Sequence, residues 1–523
     1  MVSPGPWYRA ARVAKCASGA YARSGHDPKR GKFVPSPYSL PQHCPYMHVD
    51  RGLNFFAQTS GDAAVANSAM PKPIARYPNL VLTTTILASS LASVDGSVVN
   101  VGLSAIRSAF GADGETLQWV INGYLLPLSA LMLLGGAAGD RFGRKRVFIS
   151  GIAIFALASA LCAASTNISS LLFGRAMEGI GAAILLPNSL AILGDAFCGA
   201  QRGRAVGIWA AMGAIIGAVG PVFGGWLIDV VSWRAIFLVN LPLAIAAIAL
   251  AFAFVESPRP GTKREPLDVF GGVLATLGLG ALTWGLTIGA GRAGWTPDAA
   301  IGIAAGIALL LGFAWLEGVR GDRAMMPMAL FGSRMFLGLS LLTFFLYGAL
   351  GGLLVLLPYL LIMSAHYSAA AAGAALLPFP LIIAVVSPLM GRVAGRIGPR
   401  WPLALGSLVA ACGYCLMLRI DGTGSYWTNV LPAILVVSLG MAGAVAPLTT
   451  AVLASVDAAH TGSASGFNTA ASRTGGLIAT ALLGAVLGAT GPDLIIGSHV
   501  AALAGAAMAS AASASAWLLV KDQ

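Results

Sequence analysis

Four ionisable side chains stand inside apolar stretches long enough to cross a bilayer: Asp95, Arg175, Glu178 and Arg473. An ionisable group at bilayer depth is costly unless paired or hydrated, so by default it marks an ion or substrate path. Counted from the helix ends at 1.5 Å per residue, Asp95 lies about 12 Å deep, Arg175 about 9 Å and Glu178 about 13 Å. Arg175 and Glu178 are three residues apart and share a helix face. Asp95 and Arg175 can therefore face one another across a cavity. Burial favours the protonated form of a carboxyl, and a nearby arginine favours the ionised form. A movement or a ligand that separates such a pair switches its proton affinity, which is a minimal device for exchanging a proton for a second solute. The plainer alternative is a static ion pair holding two helices together. Asn100 lies in the same stretch as Asp95. Arg473, about 15 Å into its own stretch, has no acidic partner in its half of the chain and is left for a helix end, an anionic solute or lipid.

The elements that must position these groups follow from composition. The chain has 523 residues, 57% hydrophobic and 10% charged, with a mean hydropathy of +0.79. Soluble domains carry roughly 25% charged residues, so a water-soluble surface is excluded. Disorder over most of the length is excluded too, because disordered chains are poor in apolar residues. What remains is an all-α, polytopic membrane protein. About fourteen apolar runs meet the ~20-residue requirement for a spanning helix. They lie near 80–103, 116–139, 147–165, 169–194, 205–228, 235–255, 269–290, 299–316, 335–357, 369–390, 401–418, 428–453, 463–489 and 499–520. Many carry Gly, Ala and Ser at small-xxx-small spacing, which allows close helix contact in lipid.

The net charge of +12 would suggest nucleic acid in a soluble protein. Here it reads as basic loops fixing orientation, and no nucleic-acid partner is expected. With the N-terminus inside, ten of the 32 Lys and Arg precede the first span and sixteen more fall in the other inner segments. Four fall outside (Arg107, Arg234, Arg292, Arg419) and two within spans. Both termini are thus expected to be cytoplasmic.

Residues 1–75 are polar, without helical periodicity, and read as a disordered cytoplasmic tail. Met70 stands just before Pro71, Lys72, Pro73 and Arg76, as a compact start would, so residues 1–69 read as an over-extended beginning. Cys412 and Cys415 form a CxxC inside an apolar run with no second pair, which favours helix packing over redox or zinc chemistry. His43, Cys44 and His48 lack the spacing of a metal site, and no metal is expected.

The chain also echoes itself. Gly136, Asp140, Arg141, Gly143, Arg144 and Lys145 follow the second run, and Gly391, Gly395, Arg396, Gly398 and Arg400 follow the tenth in the same register. Two parallel repeats of six helices would place this turn twice, leaving runs seven and eight as an insertion. The expected organisation is a tail over 1–75, a six-helix bundle over 76–257, two extra helices over 258–333 and a second bundle over 334–523.

The loop from Gly136 to Phe148 resembles the signature between helices two and three of the major facilitator superfamily. Asp95 to Leu103 is similar to the first-helix motif of that superfamily's fourteen-helix drug:proton antiporters. Leu171, Arg175, Glu178, Gly179, Gly181 and Ala183 resemble the fourth-helix motif, with Glu178 where Gln is usual. Gly207, Gly220, Pro221, Gly224 and Gly225 resemble the exporter motif of the fifth helix, with Ile216 where Gly is usual. Gly466, Asn468, Arg473, Gly475 and Gly476 are similar to the thirteenth helix.

The resemblance implies a proton-coupled efflux antiporter for drug-like or amphipathic small molecules, working by alternating access. Asp95, Asn100, Arg175, Glu178 and Arg473 are then expected to serve the proton site and substrate cavity. In this reading Asp140 pairs with a cation or caps a helix across the domain interface. Implied besides are the bacterial inner membrane, a proton gradient and no cofactor, and a periplasmic adaptor protein among the partners. An uptake symporter or facilitator of the same fold is the alternative, with a non-transporting receptor further off. No enzyme is expected, because no catalytic or phosphate-loop motif is present.

Overall fold

The computed structural model describes residues 75–256, 268–291, 294–321, 331–421, 425–456 and 461–521. The expectations for the tail, Met70 and the His43, Cys44 and His48 group lie outside the described residues. So does the insertion's first linker over 257–267.

Among the described residues the chain is helical, with no strand. Thirteen helices are long and apolar enough to span a membrane. In chain order the helices are α1 Pro78–Phe110, α2 Gly114–Phe142, α3 Arg144–Ala164, α4 Ile168–Ala196 and α5 Gly199–Val230. There follow α6 Ala235–Phe254, α7 Val269–Gly289, α8 Pro297–Arg320, α9 Arg334–Met363 and α10 Ala369–Ile397. Then come α11 Arg400–Arg419 and α12 Tyr426–Ala454, α13 Thr461–Ala481 and α14 Pro492–Leu519. α13 is the one not among those thirteen and is the most polar, carrying Asn468 and Arg473, and it continues after a break as the short helix Gly484–Gly488.

The helices outrun the apolar runs at most ends because helix formation does not stop where hydropathy does. α14 starts earliest relative to its run. Gly491 takes a positive φ of 58° and Pro492 stands in the first turn, where its missing N–H costs nothing. Gly143 and Gly398, the two echoed turn glycines, have φ of 102° and 86°. Only glycine tolerates that backbone cheaply, so the sequence echo is a repeated backbone requirement.

Within the first six helices, α4 packs on α2, α3 and α1, while α1 also packs on α5 and α6. Within the last six, α9 packs on α13 and α14, and α12 on α10 and α11. α7 and α8 pair with each other, and α7 also touches α2 and α13. The two sets of six meet through α1 with α9, α2 with α13, and α5 with α10.

The charges give the bundle two unlike ends. One end carries Arg141, Arg144, Lys145, Arg146, Arg202, Arg204, Arg392, Arg396 and Arg400. At the arginine-poor end the two sets of helices share one apolar core, which joins Leu103, Ile106 and Leu117 to Leu357, Tyr359 and Leu487. At the arginine-rich end the first six helices keep a separate core around Phe148, Leu185 and Leu193. There, one face of α5 is bare: nothing stands within 4 Å of a side chain built at Gly203, Gly207, Gly213 or Gly217. The facing piece of α10, Pro378–Ile397, buries only Ser387 and Ala394. The structure is closed at the arginine-poor end and parted at the arginine-rich end.

Cys412 and Cys415 differ from expectation. Both are free and exposed on the outer face of α11 rather than packed within the bundle. They stand i,i+3 beside the buried Ala411, Gly413 and Tyr414, on the side of the helix turned away from its neighbours.

Candidate functional site

α1 and α4 cross in contact, and this crossing brings Asp95 to Arg175. Arg175 Nη1 donates to Asp95 Oδ2 at 2.7 Å and to Glu178 Oε2 at 2.6 Å. Nε donates to the carbonyl of Val120 on α2 at 2.9 Å. The guanidinium lies 4.6 Å from the Tyr124 ring centre and 5.9 Å from that of Phe237, and Tyr124 Oη in turn donates to Ala92 O. Arg175 and Asp95 are each 1% exposed and Glu178 is sealed.

Each carboxyl uses one oxygen on the guanidinium. The others, Asp95 Oδ1 and Glu178 Oε1, are buried without a hydrogen-bond partner. Two ionised carboxylates on one guanidinium sum to one negative charge in a site closed to water, and a single proton removes it. A proton on either orphaned oxygen also supplies an O–H donor where the ionised group has only acceptors. One proton would therefore neutralise the triad.

Glu178 does not line open space. It faces inward, with Cys162 Sγ at 3.6 Å from Oε2. Asn100 is buried further along α1 and takes no part in the triad. Arg473 is not brought to the triad either. It is exposed on α13, within electrostatic reach of Tyr124 on α2 and Tyr347 on α9. Its neighbour Asn468 accepts a 2.5 Å hydrogen bond from Thr343 of α9.

The turn motif makes a second charge cluster. Arg144 donates to Asp140 Oδ1 from Nε at 2.9 Å and Nη2 at 2.8 Å, and to Asp195 Oδ1 from Nη1 at 2.6 Å. Asp140 thus meets a cation within its own set of helices and caps nothing across the interface. Lys145 Nζ donates to Phe252 O, tying the turn to the end of α6, while Arg141 leans on Phe142. Gly136 packs on Pro187 of α4.

The fifth-helix motif works by close approach. A side chain at Gly220 or Gly224 would collide with Ser97 or Val98 of α1, and one at Gly225 with the backbone of Ala369 in α10. Pro221 O sits against Gly373 of α10. The motif is the point where α5 is pressed at once onto α1 and the opposite set of helices. Ile216, the departure from the motif, is partly buried against the shared apolar core.

Sequence reasoning missed the groups that close the arginine-poor end. Arg107, at the end of α1, donates to Tyr359 Oη, to Leu487 O at 3.1 Å and to Gly488 O at 3.2 Å. Gln118 Nε2 donates to Thr480 O at 2.9 Å and Ala481 O at 3.0 Å, the carbonyls freed where α13 breaks. Asp229 accepts from the first amides of α10, Ala369 N at 3.1 Å and Ala370 N at 2.9 Å. Arg107 and Asp229 had a signal, a charge at a helix end, and nothing local named their partners.

Residues 85–480 match the sequence model of the family described as Major Facilitator Superfamily. The chain belongs to the major facilitator superfamily. Its curated relatives in the superfamily are drug-resistance and export transporters. The chain is similar to the multidrug resistance protein Stp of Mycobacterium tuberculosis (strain ATCC 25618 / H37Rv), 33% identical over 421 residues, 78% of this chain and 76% of that one. It is similar to the methylenomycin A resistance protein of Bacillus subtilis (strain 168), 31% identical over 412 residues, 78% of this chain and 87% of that one. It is also similar to the cephamycin export protein CmcT of Amycolatopsis lactamdurans, 33% identical over 433 residues, 80% and 87%. Among solved structures, the xylose transporter XylE from E. coli in its inward open conformation shares the fold with a TM-score of 0.60 at 14% identity, covering 86% of this chain and 97% of that one. A peptide transporter POT in complex with sulfate shares it equally, TM-score 0.60 at 15% identity, covering 82% and 92%.

Proposed function

We propose that this member of the superfamily is a proton-coupled exporter of drug-like or amphipathic small molecules in the bacterial inner membrane. The arginine-rich end and both termini face the cytoplasm, as the bias of Lys and Arg favours. The observation that carries the reading is one guanidinium nitrogen, Arg175 Nη1, holding two buried carboxylates.

In the conformer described, the cytoplasmic end is parted, so a substrate enters between α5 and α10 from inside. Arg107, Gln118 and Asp229 hold the opposite end shut. Rocking the two sets of helices breaks those contacts and opens the outer end, where substrate leaves and the triad meets external protons. A proton taken up by Asp95 or Glu178 brings the triad to neutrality and is carried inward on the return; its release to the cytoplasm requires water to reach the triad, which is sealed in the conformer described. The proton gradient is the energy source, and no cofactor is called for. The names of the relatives, which speak of resistance and export, support the direction.

The test uses inside-out membrane vesicles with an acidic lumen. Export with proton exchange predicts substrate accumulation in the lumen, lumenal alkalinisation on substrate addition, and loss of both when the gradient is collapsed. Accumulation that persists without a gradient would refute coupling. Substrate leaving the lumen together with protons would make the protein a symporter.

A further inference from the structure

Arg473 is, among the described residues, the one exposed side chain of fixed charge away from a helix end. By helix rise it stands about 18 Å from the start of α13, in the middle of the membrane. An arginine there is expensive and is retained for an ion, a ligand or a partner. Among the described residues it makes no hydrogen bond or ion pair, and the acids of that depth, Asp95 and Glu178, are both committed to Arg175. Two neutral phenols, Tyr124 on α2 and Tyr347 on α9, lie within its electrostatic reach.

The approach to it carries the same sign. Arg202 and Arg204 at the start of α5, and Arg392 and Arg396 at the end of α10, are exposed where those two helices part. The exposed acids near that mouth, Asp140 and Asp195, are bound to Arg144. A cleft lined by one sign of charge between low-dielectric walls concentrates counter-ions. Orientation in the membrane explains basic residues at the mouth, but it does not explain one at mid-depth.

We propose that Arg473 is the docking point for an anionic group on the transported molecule, so that the cavity selects amphipathic carboxylates over cations. A planar guanidinium offers two parallel N–H donors to a carboxylate, which a lysine cannot match. The inference rests on the efflux reading for its direction only; selectivity by charge is a property of binding and holds whichever way the solute moves.

The experiment measures equilibrium binding to the purified full chain in lipid nanodiscs, with protein-free nanodiscs as blank, so failure of proton coupling leaves it untouched. Three probes share one fluorophore: dansylglycine (anionic), dansylamide (neutral) and dansylcadaverine (cationic). The native chain is expected to bind dansylglycine tightest. Arg473→Gln is expected to weaken dansylglycine roughly tenfold or more, the worth of one charge-assisted pair, with dansylamide unchanged. Arg473→Lys should recover part of the loss. Tighter binding of dansylcadaverine to the native chain, no binding of dansylglycine, or an equal loss for all three probes in Arg473→Gln would each overturn the proposal.

Discussion

Two arginines lie inside spans, and the fold treats them oppositely. Arg175 on α4 is 1% exposed, bound to Asp95, Glu178 and the Val120 carbonyl and stacked on Tyr124. Arg473 on α13 is exposed and makes no hydrogen bond or ion pair among the described residues. The first half of the chain spends its charge on an internal balance that one proton completes. The second half leaves its charge free to answer something that arrives. On the proposed reading, identical side chains inside the bundle serve a proton and a solute, and burial separates the two roles.

The largest effect that distinguishes them is on stability. Arg175→Gln leaves two buried carboxyls without their countercharge, a loss on the order of 3–5 kcal/mol. It should lower the thermal midpoint of the purified protein sharply. Arg473→Gln removes an exposed side chain and should move stability by less than about 0.5 kcal/mol. Equal midpoints for the two variants would break the comparison.

A third arginine sharpens it. Arg107 is bound like Arg175, but to carbonyls and a phenol of the opposite set of helices, so its contacts exist in one conformer only. Charge-assisted bonds of this kind contribute about 1.5–3 kcal/mol each, enough to shift a two-state balance by tenfold or more. Arg107→Gln should lengthen the distance between spin labels on the α1–α2 and α9–α10 turns. An unchanged distance distribution would show that Arg107 does not hold that end shut.

Glu178→Gln should act more gently. Glutamine keeps an acceptor for Arg175 and removes one charge, so the triad is neutral without a proton. The pH profile of transport should flatten while the order of preference among the dansyl probes stays as in the native chain. A changed preference would mean that Glu178 reaches the cavity in another conformer, where the sequence alone had placed its influence.

The spans and the depths of Asp95, Arg175 and Glu178 were legible because hydropathy and a fixed helical rise are local properties. The positive-φ glycines at 143 and 398 were legible as an echo of one turn. Arg107, Gln118 and Asp229 were not legible as a latch. Apart from the Tyr359 phenol, their partners are backbone carbonyls and amides, which carry no side-chain signature, on helices more than a hundred residues away. Cys162 beside Glu178 was hidden likewise, since a thiol in an apolar run reads as packing until its neighbour is known. Asp140 read two ways, and only the conformer decides between Arg144 and the facing helices.

The smallest effect is expected in the inserted pair. Asp268 caps α7 through the Gly271 amide at 2.7 Å and pairs with Arg320 at the end of α8. Burial opposes its ionisation, but the bonds from Arg320 and Gly271 outweigh that and hold the carboxyl below its ordinary value. A lowered value means the ion pair supports the fold above the usual aspartate range and fades only as pH falls below 3.8. Asp268→Asn should cost about 1 kcal/mol or less, as a weakened cap, and leave transport intact. Lost transport in a stable variant would give the insertion a part in the cycle.

The central claim is that the triad carries the exchanged proton, and Asp95→Asn tests it most directly. The variant keeps the side chain's shape and its bond to Arg175 and removes the ability to give up a proton. In one set of vesicles, substrate-for-substrate exchange at equal pH is measured beside accumulation driven by a pH gradient. The account predicts that Asp95→Asn retains exchange and loses gradient-driven accumulation together with substrate-dependent proton movement. Full gradient-driven accumulation in a well-inserted Asp95→Asn protein would contradict it.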